Sequence, residues 1–227
     1  MAIASYYTFT ASFITLGVAL LAYLWYTIGQ RRGAGRYGTF FTVNGALLLT
    51  TSLGLRWFAS GHAPYSNQFE FSLSFAWGTI ASYLYLEHRF RLRSLGFIAV
   101  TIAFGMLAYA STLPSRIDPL ISALQNNAML TTHVAMAIIS YGTFACGFAA
   151  ATLYLINRKG TISFLPAPEV LDEIGHKAVM IGFPAHAMLL ILGALWANVA
   201  WGAYWSWDRS EEHTSELQSR QYLVCRL

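Results

Sequence analysis

Six stretches of this sequence carry no Asp, Glu, Lys or Arg: Met1 to Gln30, Tyr37 to Leu55, Phe71 to Leu86, Ser94 to Ser115, Pro119 to Asn157 and Ala178 to Trp207. A helix needs about 20 mainly apolar residues, with a lower bound near 17, to cross a hydrocarbon core about 30 Å thick. Five of the runs meet this easily. Phe71 to Leu86 falls one residue short, so Glu70, Glu87 and His88 at its ends are expected to snorkel toward the headgroups. Only 11% of the 227 residues are charged and 56% are apolar, against about 25% charged in soluble domains. The expected fold is therefore all-α: a polytopic transmembrane helix bundle with about six spanning helices.

The first run has no basic start and no small-residue cleavage site, so it reads as a retained helix rather than a signal peptide. Cys146 lies inside the fifth run and Cys225 near the end, which leaves neither a disulfide framework nor a metal-type cysteine pair. The net charge of +4 matters less than its distribution. Arg31, Arg32 and Arg36, then Arg89, Arg91 and Arg93, then Arg158, Lys159 and Lys177 sit in alternate loops, which the positive-inside rule places in the cytoplasm. The loops holding only Arg56 and only Arg116 then face outward, with the N-terminus and the segment after the sixth run. Cations dispersed in threes at helix ends form no nucleic-acid surface.

That orientation puts His62, the approach to His133 and a dense aromatic cluster on one outer face. Four of the seven tryptophans fall between Trp196 and Trp207, with Tyr204 among them. An interfacial belt accounts for some aromatics at a helix end. Five broad rings around Gly202, where a missing side chain permits close backbone approach, also suit a flat ligand, with indole N–H groups left to donate to its carboxylates.

The segment Trp201-Gly202-Ala203-Tyr204-Trp205-Ser206-Trp207-Asp208 resembles the opening of the tryptophan-rich "WWD" signature of cytochrome c assembly proteins. Gly182-Phe183-Pro184 and Gly193-Ala194-Leu195-Trp196-Ala197 resemble the lead-in helix of the CcsA/ResC type of system II cytochrome c biogenesis. Two further segments agree: Ser60-Gly61-His62-Ala63-Pro64-Tyr65-Ser66-Asn67-Gln68-Phe69-Glu70, and Leu124-Gln125-Asn126-Asn127 running to His133-Val134 and Ser140-Tyr141-Gly142.

The resemblance implies delivery of haem b to the outer face of a bacterial-type cytoplasmic membrane, or its thylakoid equivalent. There it is presented for thioether attachment to apocytochrome c bearing Cys-x-x-Cys-His, as the haem-presenting subunit of a holocytochrome c synthase. Implied partners are a ResB/CcsB-like membrane companion and thiol-reducing proteins. His133 matches the outward histidine expected to ligate the haem iron, and Trp196, Trp201, Gly202, Tyr204, Trp205, Trp207 and Asp208 form the expected haem-binding segment. From the residues alone, His133 could equally be a wetted helix-end histidine, though an intramembrane ionisable group is a functional candidate by default. His62 is expected to orient that segment or a haem propionate, or simply to cap its loop. His186 falls where the family has an apolar residue; a hydrogen bond to a neighbouring helix is the preferred reading, transit ligation of haem the other. His88 and His176 read as solvated.

Residues 1–208 are expected to form the assembly domain and 209–227 a non-native tail, since Arg209 to Ser219 resembles an in-frame translation of sequencing-adapter DNA and the family continues past Asp208 with further helices. His213 and Cys225 then carry no weight. A haem exporter loading a carrier protein, a membrane b-type cytochrome with paired histidines inside its bundle, and a cofactor-free bundle with a merely interfacial aromatic cluster are the alternatives.

Overall fold

A computed structural model describes residues 1–29, 32–117, 127–162 and 164–205. Six α-helices account for most of them: α1 (Ala2–Gly29), α2 (Arg32–Ser60), α3 (Gln68–Phe90), α4 (Gly96–Ser111), α5 (Asn127–Ile156) and α6 (Pro168–Trp201), with one 3-10 turn at Arg93–Leu95 leading into α4. Among the described residues there is no β-strand. α1, α2, α4 with its leading turn, α5 and α6 are each long and apolar enough to cross a membrane. Residues 1–192 and 193–227 form two compact units, each described by itself below. Expectations resting on Leu124 to Asn126 and on Ser206 to Leu227, which include Trp207, Asp208 and the tail, lie outside the described residues.

α3 is the helix whose run was too short and too polar to span by the simplest rule, and it is the most enclosed. It packs against α2, α4 and α5. Phe69, Leu73, Ala76, Ile80, Tyr83 and Leu86 are all essentially inaccessible along its length. A helix facing other helices need not be apolar all round, provided its polar groups find partners inside the bundle.

The carboxylates at its two ends have such partners, which corrects the expectation that they reach for headgroups. Glu70 is fully buried and accepts from Arg56 Nε at 2.8 Å on one oxygen. Its other oxygen accepts from the Ser66 N–H and hydroxyl, each at 2.8 Å. Arg56, at 1% exposure, also donates to the Ser115 and Arg116 carbonyls and lies over the Phe69 ring. Arg56 is therefore a clamp at the end of α2 rather than a solvated charge. At the opposite end Glu87 is equally buried. It accepts from the Tyr83 hydroxyl (2.6 Å), the Tyr23 hydroxyl (3.2 Å), the Thr39 hydroxyl (2.5 Å) and Arg93 Nε (3.1 Å). Two carboxylates thus pin α3 to α1, α2 and the segments flanking α4. His88, as expected, is exposed.

Where α3 crosses α5, a Cβ on Gly142 would sit 2.5 Å from the Gly78 carbonyl oxygen, so the backbones meet through glycine. Between lipid-solvated helices there is little hydrophobic drive to associate, and close small-residue packing with interhelical hydrogen bonds does that work.

Candidate functional site

The segment between α2 and α3 folds back onto α5. Asn67 caps α3, its side-chain oxygen accepting the Glu70 N–H at 3.0 Å, and its amide donates to the Arg116 carbonyl at 2.9 Å. With the start of α3 held this way, Ala63 and Tyr65 pack into a small apolar cluster with Leu130, Val134 and Ile138 of α5, lined by Phe71, Phe75 and Trp77 of α3. Burial pushes the Tyr65 phenol above its ordinary pKa, so it stays neutral. The cluster brings the His62 segment and the first turns of α5 together at one end of the bundle.

His62 is buried to 9% exposure, and its Nδ1 lies 2.9 Å from the Ala63 carbonyl. A carbonyl can only accept, so Nδ1 carries a proton and donates it to this bond. Its segment is held by backbone and cap contacts, which suits an orienting role and a loop-capping role alike.

His133 lies in the second turn of α5, which begins at Asn127. It is half-buried, and its Nδ1 lies 3.0 Å from the Leu189 carbonyl of α6. By the same reasoning Nδ1–H donates to the spare lone pair of a helical carbonyl, which leaves Nε2 as the nitrogen open to a ligand. Nε2 has no hydrogen-bond partner among the described residues. Metal-ligating histidines usually carry this arrangement, the far nitrogen tethered to a carbonyl or carboxylate so that ring and lone pair are aimed.

His186 makes the interhelical hydrogen bond expected of it: Nδ1 lies 3.1 Å from the Ser140 hydroxyl of α5. Its ring meets Tyr141 edge-on and Phe144 at a tilt. Tyr141 in turn meets Phe75, which stacks on Phe71, which stacks on Tyr65. An unbroken series of rings therefore runs from the segment between α2 and α3 through α3 and α5 to α6. No single run in the sequence contains that series, though the spacing of Phe71 and Phe75 by one turn was a visible signal. Arg56 was equally missable: its pairing with Glu70 crosses a loop, and the hint was a charge abutting each of two apolar runs.

In the second unit, α6 ends at Trp201 because Gly202 adopts φ +75°, its N–H donating to the Asn198 carbonyl at 2.9 Å. A left-handed glycine just past the last turn is a common helix stop. Nothing lies within 4 Å of where its Cβ would be, so backbone conformation rather than close approach requires glycine here. Beyond it Tyr204 and Trp205 are 60% and 73% exposed, while Trp196 is half-buried. The side chain of Trp201 lies outside the described atoms. Among the described residues no group of three or more His, Cys, Asp or Glu is gathered as a metal-ion site. A haem iron asks for less, since the porphyrin supplies four nitrogens and the protein one or two axial donors. His133 with its tethered Nδ1 fits that requirement.

Residues 65–213 match the family model described as Cytochrome C assembly protein. The chain is 31% identical over 228 aligned residues to the cytochrome c biogenesis protein CcsA of Guillardia theta, an alignment covering 88% of this chain and 75% of the relative. It is 30% identical to CcsA of Pyropia yezoensis, with 79% and 70% covered, and 37% identical to CcsA of Chlamydomonas reinhardtii, with 73% and 50% covered. The matched region takes in the capped start of α3, the whole of α5 with His133 and all of α6 with its aromatic end, and the chain belongs to the cytochrome c assembly protein family.

Proposed function

We propose that within cytochrome c biogenesis this integral membrane protein receives haem b and presents it on the outer face of the membrane for covalent attachment to apocytochrome c. The observation that carries this reading is His133: an imidazole near one end of a long apolar helix, its Nδ1 spent on the Leu189 carbonyl and its Nε2 left as a Lewis base. An axial imidazole holds and orients the iron, and bond formation between vinyl groups and the thiols of Cys-x-x-Cys-His belongs largely to haem and substrate. The chain's share is to bind, orient and leave one porphyrin edge accessible.

Further residues divide the task in this reading. Trp196, Trp201, Tyr204, Trp205 and Trp207 offer apolar faces for the macrocycle, Asp208 and indole N–H groups offer polar contacts at its edge, and Gly202 ends the helix so that the segment can turn. His62, held against Ala63, orients the surrounding outer segment. The alternation of basic loops supports the reading that this end faces outward from a bacterial-type or thylakoid membrane. A ResB/CcsB-like companion and thiol-reducing proteins complete the machinery, and residues 209–227 take no part in it.

The test is haem content of the chain purified from haem-replete membranes, with a c-type cytochrome reporter and companion in the same cells. His133→Gly should lower bound haem about tenfold or more, on the scale of losing metal-site interactions, and millimolar imidazole should restore part of it by filling the vacated space. Removing residues 209–227 should change nothing. Equal haem in wild type and His133→Gly would refute the assignment.

A further inference from the structure

Resting on that reading of His133, we propose that His186 is its positioning residue: with Ser140 it sets the register of α6 against α5, and so delivers the Leu189 carbonyl to the His133 ring. His133 and Ser140 are seven residues apart on α5, hence on one face and about 10.5 Å apart along the axis. Their partners on α6, Leu189 and His186, are three apart, about 4.5 Å. The two hydrogen bonds cross the seam in opposite senses, an α5 imidazole on an α6 carbonyl and an α6 imidazole at an α5 hydroxyl. One such bond is a pivot; two, separated along the seam, oppose both sliding and rotation.

The rest of the seam leaves this task to them. Gly182 lies against Thr143 and Phe144, where a Cβ would come within 2.5 Å of the Thr143 hydroxyl oxygen, and Gly147 lies against Ala178. Small residues permit close approach; Thr143 and Phe144 fill the notch at Gly182, but Gly147 against Ala178 presents no side chain that interlocks. Polar bonds in a lipid-solvated pair therefore set the register. Ser140 is fully buried, and the Tyr141 and Phe144 rings flank the imidazole, so water does not compete freely for the bond. A slide of one residue rise, about 1.5 Å, across a 3.0 Å hydrogen bond would stretch it to about 3.4 Å and bend it, outside the usual range of about 2.7–3.2 Å, so the tether on the His133 ring weakens.

Two readouts test this in the full chain, with Cys146→Ala and Cys225→Ala as background. The first needs no haem. A Cβ on Gly147 would lie 3.5 Å from the Ala178 Cβ, within disulfide reach, so the pair Gly147→Cys with Ala178→Cys should cross-link on mild oxidation at a rate that reports register. His186→Leu and Ser140→Ala should slow cross-linking about threefold or more, and His186→Gln, whose amide can still bond Ser140, should restore it. The second, in chains without the cysteine pair, is the pH at which the axial-imidazole absorbance of bound haem is lost on acidification. Protons and iron compete for Nε2, so binding weakened about tenfold, the lower end of what an outer-shell partner contributes, moves that midpoint up by about one pH unit. His186→Leu should show this shift and His186→Gln should not.

Unchanged cross-linking in His186→Leu would overturn the proposal. So would changed cross-linking with an unchanged acid midpoint, or His186→Gln behaving as His186→Leu, which would make the imidazole itself the required donor. A wild-type chain that cross-links normally but holds no haem would refute the assignment of His133 itself, leaving a register lock with nothing to position.

Discussion

Individual residues in this protein are informative mainly through what occupies their second polar atom. His62 and His133 both spend Nδ1 on a carbonyl, and this orients each ring and leaves Nε2 outside that bond. Arg56 is the more demanding case, because a guanidinium at 1% exposure stands only while its partners do. Removing one member of a buried pair strands the other charge, at a cost of about 3–5 kcal/mol. Arg56→Met and Glu70→Gln should each lower thermal stability in detergent by that order. The double variant should lose clearly less than the sum of the two, since the stranded charge is then gone. Additive losses would mean that Arg56 and Glu70 contribute independently, Arg56 through its bonds to the Ser115 and Arg116 carbonyls. The clamp could be suspected from a charge abutting each of two apolar runs, but its partners could not, because they lie 14, 59 and 60 residues away along the chain.

At the scale of elements, α3 shows why hydropathy and burial can run in opposite directions. The more a helix is enclosed by protein, the less its sequence must satisfy lipid, and the more its small residues set how closely neighbours approach. Gly142→Leu should therefore prevent the α3–α5 crossing over the Gly78 carbonyl, with a large fall in the yield of monodisperse protein; Gly105→Leu on α4, with nothing within 4 Å of its Cβ, should be tolerated. At the end of α6 the requirement is on the backbone. Gly202→Ala forces a Cβ into the left-handed region at a cost of about 1–2 kcal/mol, and should speed protease cleavage near residues 201–205, whereas Gly202→Asn should have a smaller effect.

For the whole molecule, alternation of helix direction places residues 61–67 and 112–117 at one side of the membrane and residues 91–92 and 157–167 at the other. Thr112→Cys should react with an impermeant maleimide in intact cells, and Lys159→Cys only after permeabilisation, with Cys225 replaced and the buried Cys146 silent. Reactivity of Lys159→Cys in intact cells would reverse the proposed orientation. The sequence by itself determined the helical membrane class, the number of helices, the family and the position of His133. Each of these depends on local composition or on short ordered motifs, which survive without knowledge of contacts. Only the tertiary structure decided that α3 is the enclosed helix, that Glu70 and Glu87 turn inward, and that His133 and His186 are tied across one seam. Those outcomes depend on pairings between residues far apart in the chain, and a buried polar group accepts whichever partner the packing brings within about 3 Å.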